Sequence, residues 1–284
     1  MWRNLKAPLF LALRAAACIA FLASSAQADL SKYEKKVFSQ HGEDGVIQRL
    51  FEVIEPTTQF AVEFGAADGI KNSNVRNLVV NRGWSSFQIE GNPKLVKSLA
   101  ANYAEHPNTR TRAAWVYPGN VEILFEEAGV PRDLDLLVID IDSNDYYVWR
   151  AIHDFRPKVV LIEVNPHFPP PQKMVIDFHP MNYWDRRDYY GASLQSLYLL
   201  GKKKGYELVH HTTSSANAFF VDAKYFDRFG IEDNSPAALF QPPQGAVGLF
   251  STAPQGRGDV PFEEGNDVLP WNAFEIRKKF IFDR

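Results

Sequence analysis

Cysteine is nearly absent from the sequence: Cys18 is the one cysteine among 284 residues, and it lies close to the amino terminus. Everything after it must therefore fold without disulfide bonds. A chain of this length buries enough apolar surface to be stable through core packing alone. With 45% hydrophobic residues, the composition is that of an ordinary globular protein with one main core.

The motifs of several common enzyme classes are also missing. There is no phosphate-binding Walker motif, no GxSxG nucleophile motif and no HExxH zinc motif. Basic residues are not in excess: the sequence has 31 lysine and arginine residues and 34 acidic residues, and the formal net charge is -3. We expect no nucleic-acid partner, because such proteins need a concentrated basic surface. Beyond residue 28, no apolar run is long enough to span a membrane.

The first 28 residues differ from the rest of the chain. Arg3 and Lys6 are basic, no acid occurs before Asp29, and an apolar stretch ends in an Ala-Gln-Ala sequence at 26–28. This pattern predicts a secretory signal peptide over residues 1–28 and an exported protein, periplasmic or extracellular. Three alternatives stay open: an uncleaved membrane anchor, a lipoprotein signal ending at Cys18, and an organelle transit peptide.

Helix-like and strand-like segments alternate from about residue 40 to 210. This alternation predicts an α/β fold, a doubly wound and mostly parallel Rossmann-like sheet with helices on both faces. A polar turn replaces the helix between the last two strands, so we expect one antiparallel strand to end the sheet. A single domain would span 29–225, with 226–284 as an irregular carboxyl-terminal extension packed on it. The predicted strands are 60–64, 86–90, 109–116, 134–141, 158–164, 206–210 and 217–221.

The stretch from Phe60 to Asn92 reads as strand, glycine-bearing loop, helix and second strand. Gly65, Ala66, Asp68 and Gly69 form a loop of small residues that lets the backbone approach a ligand closely. Glu90 ends the second strand, where doubly wound folds bind ribose hydroxyls. The arrangement predicts a nucleoside-type ligand. The alternatives are a solvated strand end for Glu90 and plain turn formation for Asp68 and Gly69.

Acids stand at four strand ends, where ligands bind in open α/β sheets. Alternation along a strand would place Asp140 and Asp142 on one face. With Glu163 they have the oxygen chemistry for a hard divalent cation, although we expect no metal; Asp142 and Asp145 are also candidates for a general base. The alternative is that these acids only bond loop backbone and helix ends. The four strand ends read Glu63-Phe64-Gly65, Glu90-Gly91-Asn92, Asp140-Ile141-Asp142 and Glu163-Val164-Asn165.

A proline-rich loop follows the fifth predicted strand and contains His167 and His179. Either histidine could act as a base over the site, and a surface position is the alternative. His210 and His211 point to opposite sides of a strand and make a poor metal chelate. Five aromatic residues could line an acceptor pocket, with core packing as the default for each: Trp149, Tyr183, Trp184, Tyr189 and Tyr190.

With these residues the chain resembles the FkbM-type methyltransferase family, within the class I S-adenosylmethionine-dependent fold. The resemblance covers about 39–221. Ser143 departs from it, since we expect a glycine there in related sequences. The matching segments are SQHGEDGVI at 39–47, VEFGAADGIKNSN at 62–74, GWSSFQIEGNP at 83–93, DLLVIDIDSNDYYVW at 135–149, VVLIEVNP at 159–166 and GASLQSLYLLGKKKGYELV at 191–209.

The resemblance implies a seven-stranded methyltransferase sheet with a reversed last strand. It implies an O-methyltransferase that uses S-adenosyl-L-methionine and a small-molecule or glycan acceptor. Asp142, Asp145 or His167 would remove the acceptor proton. The alternative is an exported, non-catalytic module that binds a nucleoside or glycan in the same pocket. The predicted cofactor residues are Glu63, Gly65, Ala66, Asp68, Gly69, Glu90, Asn92 and Asp140.

Overall fold

The computed structural model describes residues 29–180 and 190–243. The predicted signal peptide, most of the predicted extension, and Tyr183, Trp184 and Tyr189 lie outside the described residues. The helices are α1 Glu43–Ile54, α2 Arg76–Arg82, α3 Pro93–Asn102, α4 Val121–Ala128, α5 Asp145–Ala151, α6 Leu194–Lys203 and α7 Pro236–Leu239. The strands are β1 Phe60–Phe64, β2 Ser85–Glu90, β3 Thr109–Ala113, β4 Leu136–Ile139, β5 Val159–Glu163, β6 Tyr206–His211 and β7 Asn217–Asp222.

The seven strands form one sheet in the order β3-β2-β1-β4-β5-β7-β6. The first five strands are parallel, and β7 lies antiparallel to both β5 and β6. The predicted doubly wound, mostly parallel Rossmann-like sheet of seven strands is confirmed, with one antiparallel strand. β7 follows the other described strands in the chain, but the prediction that the antiparallel strand ends the sheet is wrong. It is inserted between β5 and β6, and β6 takes the edge.

Apolar side chains of successive strand residues enter two cores, one on each face of the sheet. In β4, Leu137 and Ile139 join one core while Leu136 and Val138 join the other. This is the alternation of side chains expected of a strand that is covered on both sides. Helices α1, α2 and α3 cover the second of these faces, and α4, α5 and α6 cover the first.

Local sequence signals account for several helix ends. Asn92 accepts a hydrogen bond from the Lys94 amide, and Pro93 opens α3. Gly83 closes α2 in the left-handed conformation, which favours glycine. At the start of α2, the Ser73 hydroxyl accepts hydrogen bonds from the amides of Val75 and Arg76.

The central strand β4 is four residues long, shorter than the predicted 134–141. Asp135, fully buried, is turned to the loop before β1, where it accepts hydrogen bonds from the amides of residues 57–59. At the other end, Asp142 has a φ of +59°, which is incompatible with an extended strand. The predicted alternation of Asp140 and Asp142 within one strand is therefore wrong, because a turn separates them.

Two short helical segments follow β7 and reach from the end of the predicted domain into the described part of the predicted extension. A 3₁₀ turn covers Ala223–Phe229, and α7 follows it. Phe240 stacks on His211 of β6 at a ring-centre distance of 5.5 Å. The proposed division into 29–225 and 226–284 stays a prediction.

Across residues 29–180 and 190–243, no helix combines the length and the apolar character needed to cross a bilayer.

Candidate functional site

A cavity of about 420 Å³ opens where the chain reverses its direction of winding, between the carboxyl ends of β1 and β4. Ligands of doubly wound sheets bind at this switch point. The lining includes five predicted cofactor residues: Gly65, Ala66, Glu90, Asn92 and Asp140. Asp142 also lines it. The remaining lining residues are Gln40, Ala67, Lys71, Asn72, Ser73, Ile89, Gly91, Leu95, Ala114, Trp115, Val116, Ile141, Ser143, Asn144 and Pro180.

The floor of the cavity depends on the absence of a side chain at Gly65. A Cβ added there would lie 1.8 Å from the carbonyl oxygen of Asp140, and the residue has a φ of +70°. Both the close approach of β1 to β4 and the left-handed backbone therefore require glycine. The glycine here permits the approach of two strands, and the predicted approach of a ligand to this loop stays a prediction.

Glu90 sits at the end of β2 with its carboxylate fixed by two backbone amides. Oε2 accepts a hydrogen bond of 2.8 Å from the Ala67 amide, and Oε1 accepts one of 2.6 Å from the Asn92 amide. Glu90 is 9% exposed and lines the cavity. A carboxylate accepts about four hydrogen bonds. Two therefore remain for a ligand, and the two amides hold the group in place.

Three other predicted cofactor residues do not line the cavity. Glu63 accepts hydrogen bonds from the Ser73 hydroxyl and the Asn74 amide, both at 2.7 Å, and burial raises its pKa to about 7. Asp68 accepts bonds from the amides of residues 70 and 71. A Cβ at Gly69 would meet the Tyr103 ring at 2.5 Å. These residues shape the loop around the cavity. For Asp68 and Gly69, this position agrees with the alternative in which they only form the turn.

The segment before α1 closes the side of the cavity. Ser39 forms an isolated parallel bridge with Asn72, and Gln40 next to it lines the cavity. The Asp44 carboxylate accepts hydrogen bonds from the amides of residues 37–39, at 2.7 to 2.8 Å. Glu43 accepts a bond from the Asn217 side chain of β7. The SQHGED sequence thus links the cavity wall at Asn72 to strand β7.

Trp115 is a lining residue that the sequence reasoning missed, because it was assigned to β3. The strand ends at Ala113, and Trp115 follows it, 50% exposed. A Cβ on Gly91 would lie 2.6 Å from its ring, so the indole packs on the backbone directly after Glu90. The rule that ligands meet the carboxyl ends of strands would have found it. Lys71, also missed, is the one basic side chain among the lining residues that the structure describes.

The carboxylates of Asp140, Asp142 and Glu163 come together, each offering an oxygen within 4.8 Å of the others. The pKa of Asp140 is raised by burial and then by the charge of Asp142, and that of Glu163 by burial and then by Asp140. Burial and the charge of Glu90 raise the pKa of Asp142. The structure therefore unites the predicted acids through a turn rather than through strand alternation.

Asp145 does not line the cavity. It is fully buried, and its two oxygens accept 2.9 Å hydrogen bonds from the amides of Ile141 and Ser143. Burial raises its pKa to about 7. Its position is that of the loop-bonding alternative, in which it shapes the turn that carries Asp142. A role as the base stays a prediction.

His167 and His179 are not among the described residues that line the cavity. The His167 amide donates to Asn165 Oδ1, and the His179 carbonyl accepts a bond from the Asn144 side chain. A role for His167 as base stays a prediction. Trp149 is 1% exposed and packs on Phe220 in the core, which is its default assignment.

No protein-family model matches this sequence, and no curated protein is significantly similar to it. Among solved structures, the amino-terminal domain of EvdMO1, crystallised in the presence of SAH and D-fucose, is 15% identical with a TM-score of 0.42, over 63% of this chain and 82% of that one. A proposed caffeoyl-CoA O-methyltransferase from Staphylococcus aureus is 14% identical with a TM-score of 0.45, over 63% and 82%. The CMeT domain of the citrinin polyketide synthase is 13% identical with a TM-score of 0.41, over 63% and 51%. Membership of the FkbM-type family stays a prediction.

Proposed function

We propose that this protein is an S-adenosylmethionine-dependent methyltransferase that methylates an oxygen of a small molecule or glycan. The observation that carries the proposal is Glu90, held by two backbone amides at the switch-point cavity with acceptor capacity to spare. A ribose diol offers two hydroxyl donors. Their bonds to one ionised carboxylate would be charge-assisted and stronger than bonds to a neutral group.

The other parts of the donor match the lining. The Trp115 ring, next to Gly91, offers an apolar face for the adenine beside the ribose. Lys71 offers a positive charge for the donor carboxylate. The floor at Gly65 leaves backbone exposed to the sulfonium end. The cavity volume of about 420 Å³ is within the range of roughly 300–1,000 Å³ for small-molecule sites.

In the proposed reaction, a lone pair of the acceptor oxygen attacks the methyl carbon. The bond from that carbon to sulfur breaks, its electron pair stays on sulfur, and S-adenosylhomocysteine leaves as a neutral thioether. The hydroxyl proton passes to Asp142, the cavity-lining acid among the predicted bases. Its raised pKa brings it closer to the working pH, which favours general base catalysis. Alignment of donor and acceptor supplies most of the acceleration.

Donor binding tests the proposal by calorimetry on the full chain with S-adenosylmethionine. We expect wild-type binding, and Glu90→Gln to weaken it by roughly 10- to 150-fold, the value of a hydrogen bond to a charged group. Glu105→Gln, an exposed acid after α3, is the control and should bind like wild type. No heat from wild type at near-millimolar donor would refute the proposal. Unchanged binding by Glu90→Gln would refute only the ribose assignment.

Turnover separates the enzyme from the non-catalytic binding module. We expect S-adenosylhomocysteine to form, by mass spectrometry, when donor is incubated with a panel of hydroxylated sugars and small molecules. Asp142→Asn should lower its rate while leaving donor binding nearly unchanged. Donor binding without S-adenosylhomocysteine formation on any acceptor would favour the binding module.

Export is part of the proposal and depends on residues 1–28. An exported protein would be separated from the donor, because S-adenosylmethionine is a cytoplasmic metabolite. An uncleaved anchor that keeps the domain inside the cell would bring the two together. Amino-terminal sequencing of the native protein decides between them. We expect Asp29 as the first residue; Met1 would refute cleavage and favour the anchor.

A further inference from the structure

A second cavity, of about 370 Å³, lies between the segment before α1 and helices α1 and α2. Among the described residues, it shares no lining residue with the switch-point cavity. Its volume is within the range of small-molecule sites. Besides Asp44, its polar side chains are those of Lys35, Gln48, Asn77, Asn81 and Arg82. The proposed methyl transfer gives this cavity no role.

The segment that carries Lys35 is fixed to the start of α1. The Lys35 amide donates a 3.0 Å hydrogen bond to the Gly42 carbonyl, and the Lys35 carbonyl accepts one of 3.1 Å from the Gly45 amide. Gly45, also in the lining, leaves room for this contact, because a Cβ there would lie 2.0 Å from the Tyr33 carbonyl oxygen. This wall of the cavity is therefore preformed, which lowers the cost of ordering it around a ligand.

Two cations of this lining have no acidic partner. Within residues 29–180 and 190–243, neither Lys35 nor Arg82 forms a salt bridge. Glu52 of α1 accepts hydrogen bonds from Gln48 and Arg49 instead. The one acid in the lining is Asp44, so two positive side chains and one negative side chain leave a net charge of +1. That balance favours a ligand with a single negative charge.

The same lining has hydrogen-bonding atoms without a partner. Asp44 is 3% exposed, and its Oδ2 accepts the amides of residues 37–39, while its Oδ1 has no partner in the described part of the chain. Asn81 Nδ2 donates a 2.8 Å hydrogen bond to Asn77 Oδ1, which leaves Asn77 Nδ2 and Asn81 Oδ1 unused by the described residues. Buried polar atoms without a partner are rare in folded proteins and mark the place of a water or a ligand.

We propose that this second cavity binds a sugar acid of the uronate class, a monoanion with several hydroxyl groups. Lys35 and Arg82 bind its carboxylate, for which the arginine fork is suited. One hydroxyl donates to Asp44 Oδ1, and the carboxamides of Asn77 and Asn81 supply a donor and an acceptor for others. An inorganic anion would leave these acceptors unused, and a neutral sugar would leave both cations unused. The site does not depend on the methyl donor.

Calorimetric titration of the full chain with glucuronate, without methyl donor, tests the site. We expect one glucuronate per chain. Glucose, which lacks the carboxylate, and acetate, which lacks the hydroxyls, should bind at least about tenfold more weakly, the loss expected when a charged hydrogen bond is not made. No saturable binding of glucuronate up to about 10 mM would overturn the proposal, and so would acetate or glucose binding as tightly as glucuronate.

Charge removal locates the binding site. Arg82→Gln should weaken glucuronate binding by about two- to fivefold, because the arginine is exposed. The Lys35→Gln/Arg82→Gln double variant should weaken it by about tenfold or more. Lys97→Gln/Arg110→Gln is the matched control, since it removes two exposed cations outside both cavities and should bind like wild type. An equal loss in the two double variants would show a general effect of net charge and would overturn the assignment.

Competition separates the two cavities. Glucuronate affinity should be the same with and without saturating S-adenosylhomocysteine, because the two sites have no described lining residue in common. Displacement of glucuronate would place it in the switch-point cavity and would overturn the assignment. Donor calorimetry reads out the methyltransferase proposal separately.

Discussion

Replacing Gly65 by alanine would test the switch point at which the candidate site is built. Gly83 at the end of α2 provides a matched control, because its φ of +69° equals the +70° of Gly65 within a degree. Alanine in this left-handed conformation costs about 1 to 2 kcal/mol at either position. Around Gly83, an added Cβ meets nothing within 4 Å. Gly83→Ala therefore measures the backbone cost alone.

Gly65→Ala adds a collision to the same backbone cost. The new Cβ would lie 1.8 Å from the Asp140 carbonyl oxygen, and real Cβ contacts are almost never under 3.0 Å. The ends of β1 and β4 must then separate by more than 1 Å, and crowding of this kind costs about 1 to 3 kcal/mol. The expected total is roughly 2 to 5 kcal/mol, against about 1 to 2 for the control.

Urea unfolding at 25 °C measures the free energy of unfolding of both variants, and calorimetry measures donor binding. We expect Gly65→Ala to lose at least tenfold in donor affinity, because the displaced floor carries Asp140. Gly83→Ala should bind like wild type, since it lies at the far end of α2. Equal destabilisation of the two variants, with donor binding intact in Gly65→Ala, would refute the close approach of β1 and β4.

Three further predictions concern groups around the site. The pKa of Glu63 is about 7 in the fold against 4.5 in the unfolded chain, so its contribution to the free energy of unfolding is full below pH 4.5 and is lost as the pH rises through 7. The loss is about 3 kcal/mol. Glu63→Gln should remove this pH dependence in urea unfolding. Asp135→Ala should destabilise the fold by roughly 3 to 5 kcal/mol, because it leaves Lys158, 3.0 Å away and buried, without its partner. Trp115→Phe should abolish most of the fluorescence change on donor binding, since Trp115 is the one tryptophan among the described residues that line the cavity.

Each of these predictions has a contrary result. If Glu63→Gln leaves the slope of stability against pH between 5 and 8 unchanged, Glu63 is not protonated in the fold. If Asp135→Ala and an Asp135→Ala/Lys158→Met double variant are equally unstable, the buried pair is not the cause. A full fluorescence change in Trp115→Phe would place the donor elsewhere.

Local sequence was sufficient for the elements and for part of the site. The predicted segments overlap all seven strands of the described residues, and continuous apolar runs mark β4 and β5 most clearly. Asn92-Pro93 and Gly83 mark the ends of two helices, because caps and turns depend on the chemistry of one or two residues. Glu90 was predicted from its place at the end of a strand, and it lines the cavity. The Gly65 loop followed from the same reasoning.

Other features were decided by contacts between distant parts of the chain. The position of β7 between β5 and β6 depends on pairing across the sheet, and nothing in its own residues specifies its neighbours. The sequence predicts Glu63 and Asp145 as ligand-binding or catalytic acids, yet in the fold both carboxylates accept hydrogen bonds from backbone amides.

The residues themselves determined that this protein is a doubly wound α/β domain with acids at its strand ends and a glycine loop after its first strand. Hydrophobic periodicity and capping are short-range properties, and they are written in consecutive residues. Only the tertiary structure brought Asp140, Asp142 and Glu163 within 4.8 Å of one another, and placed Trp115 against Gly91 at the cavity. These contacts join separate strands and turns, and they depend on the packing of the whole sheet.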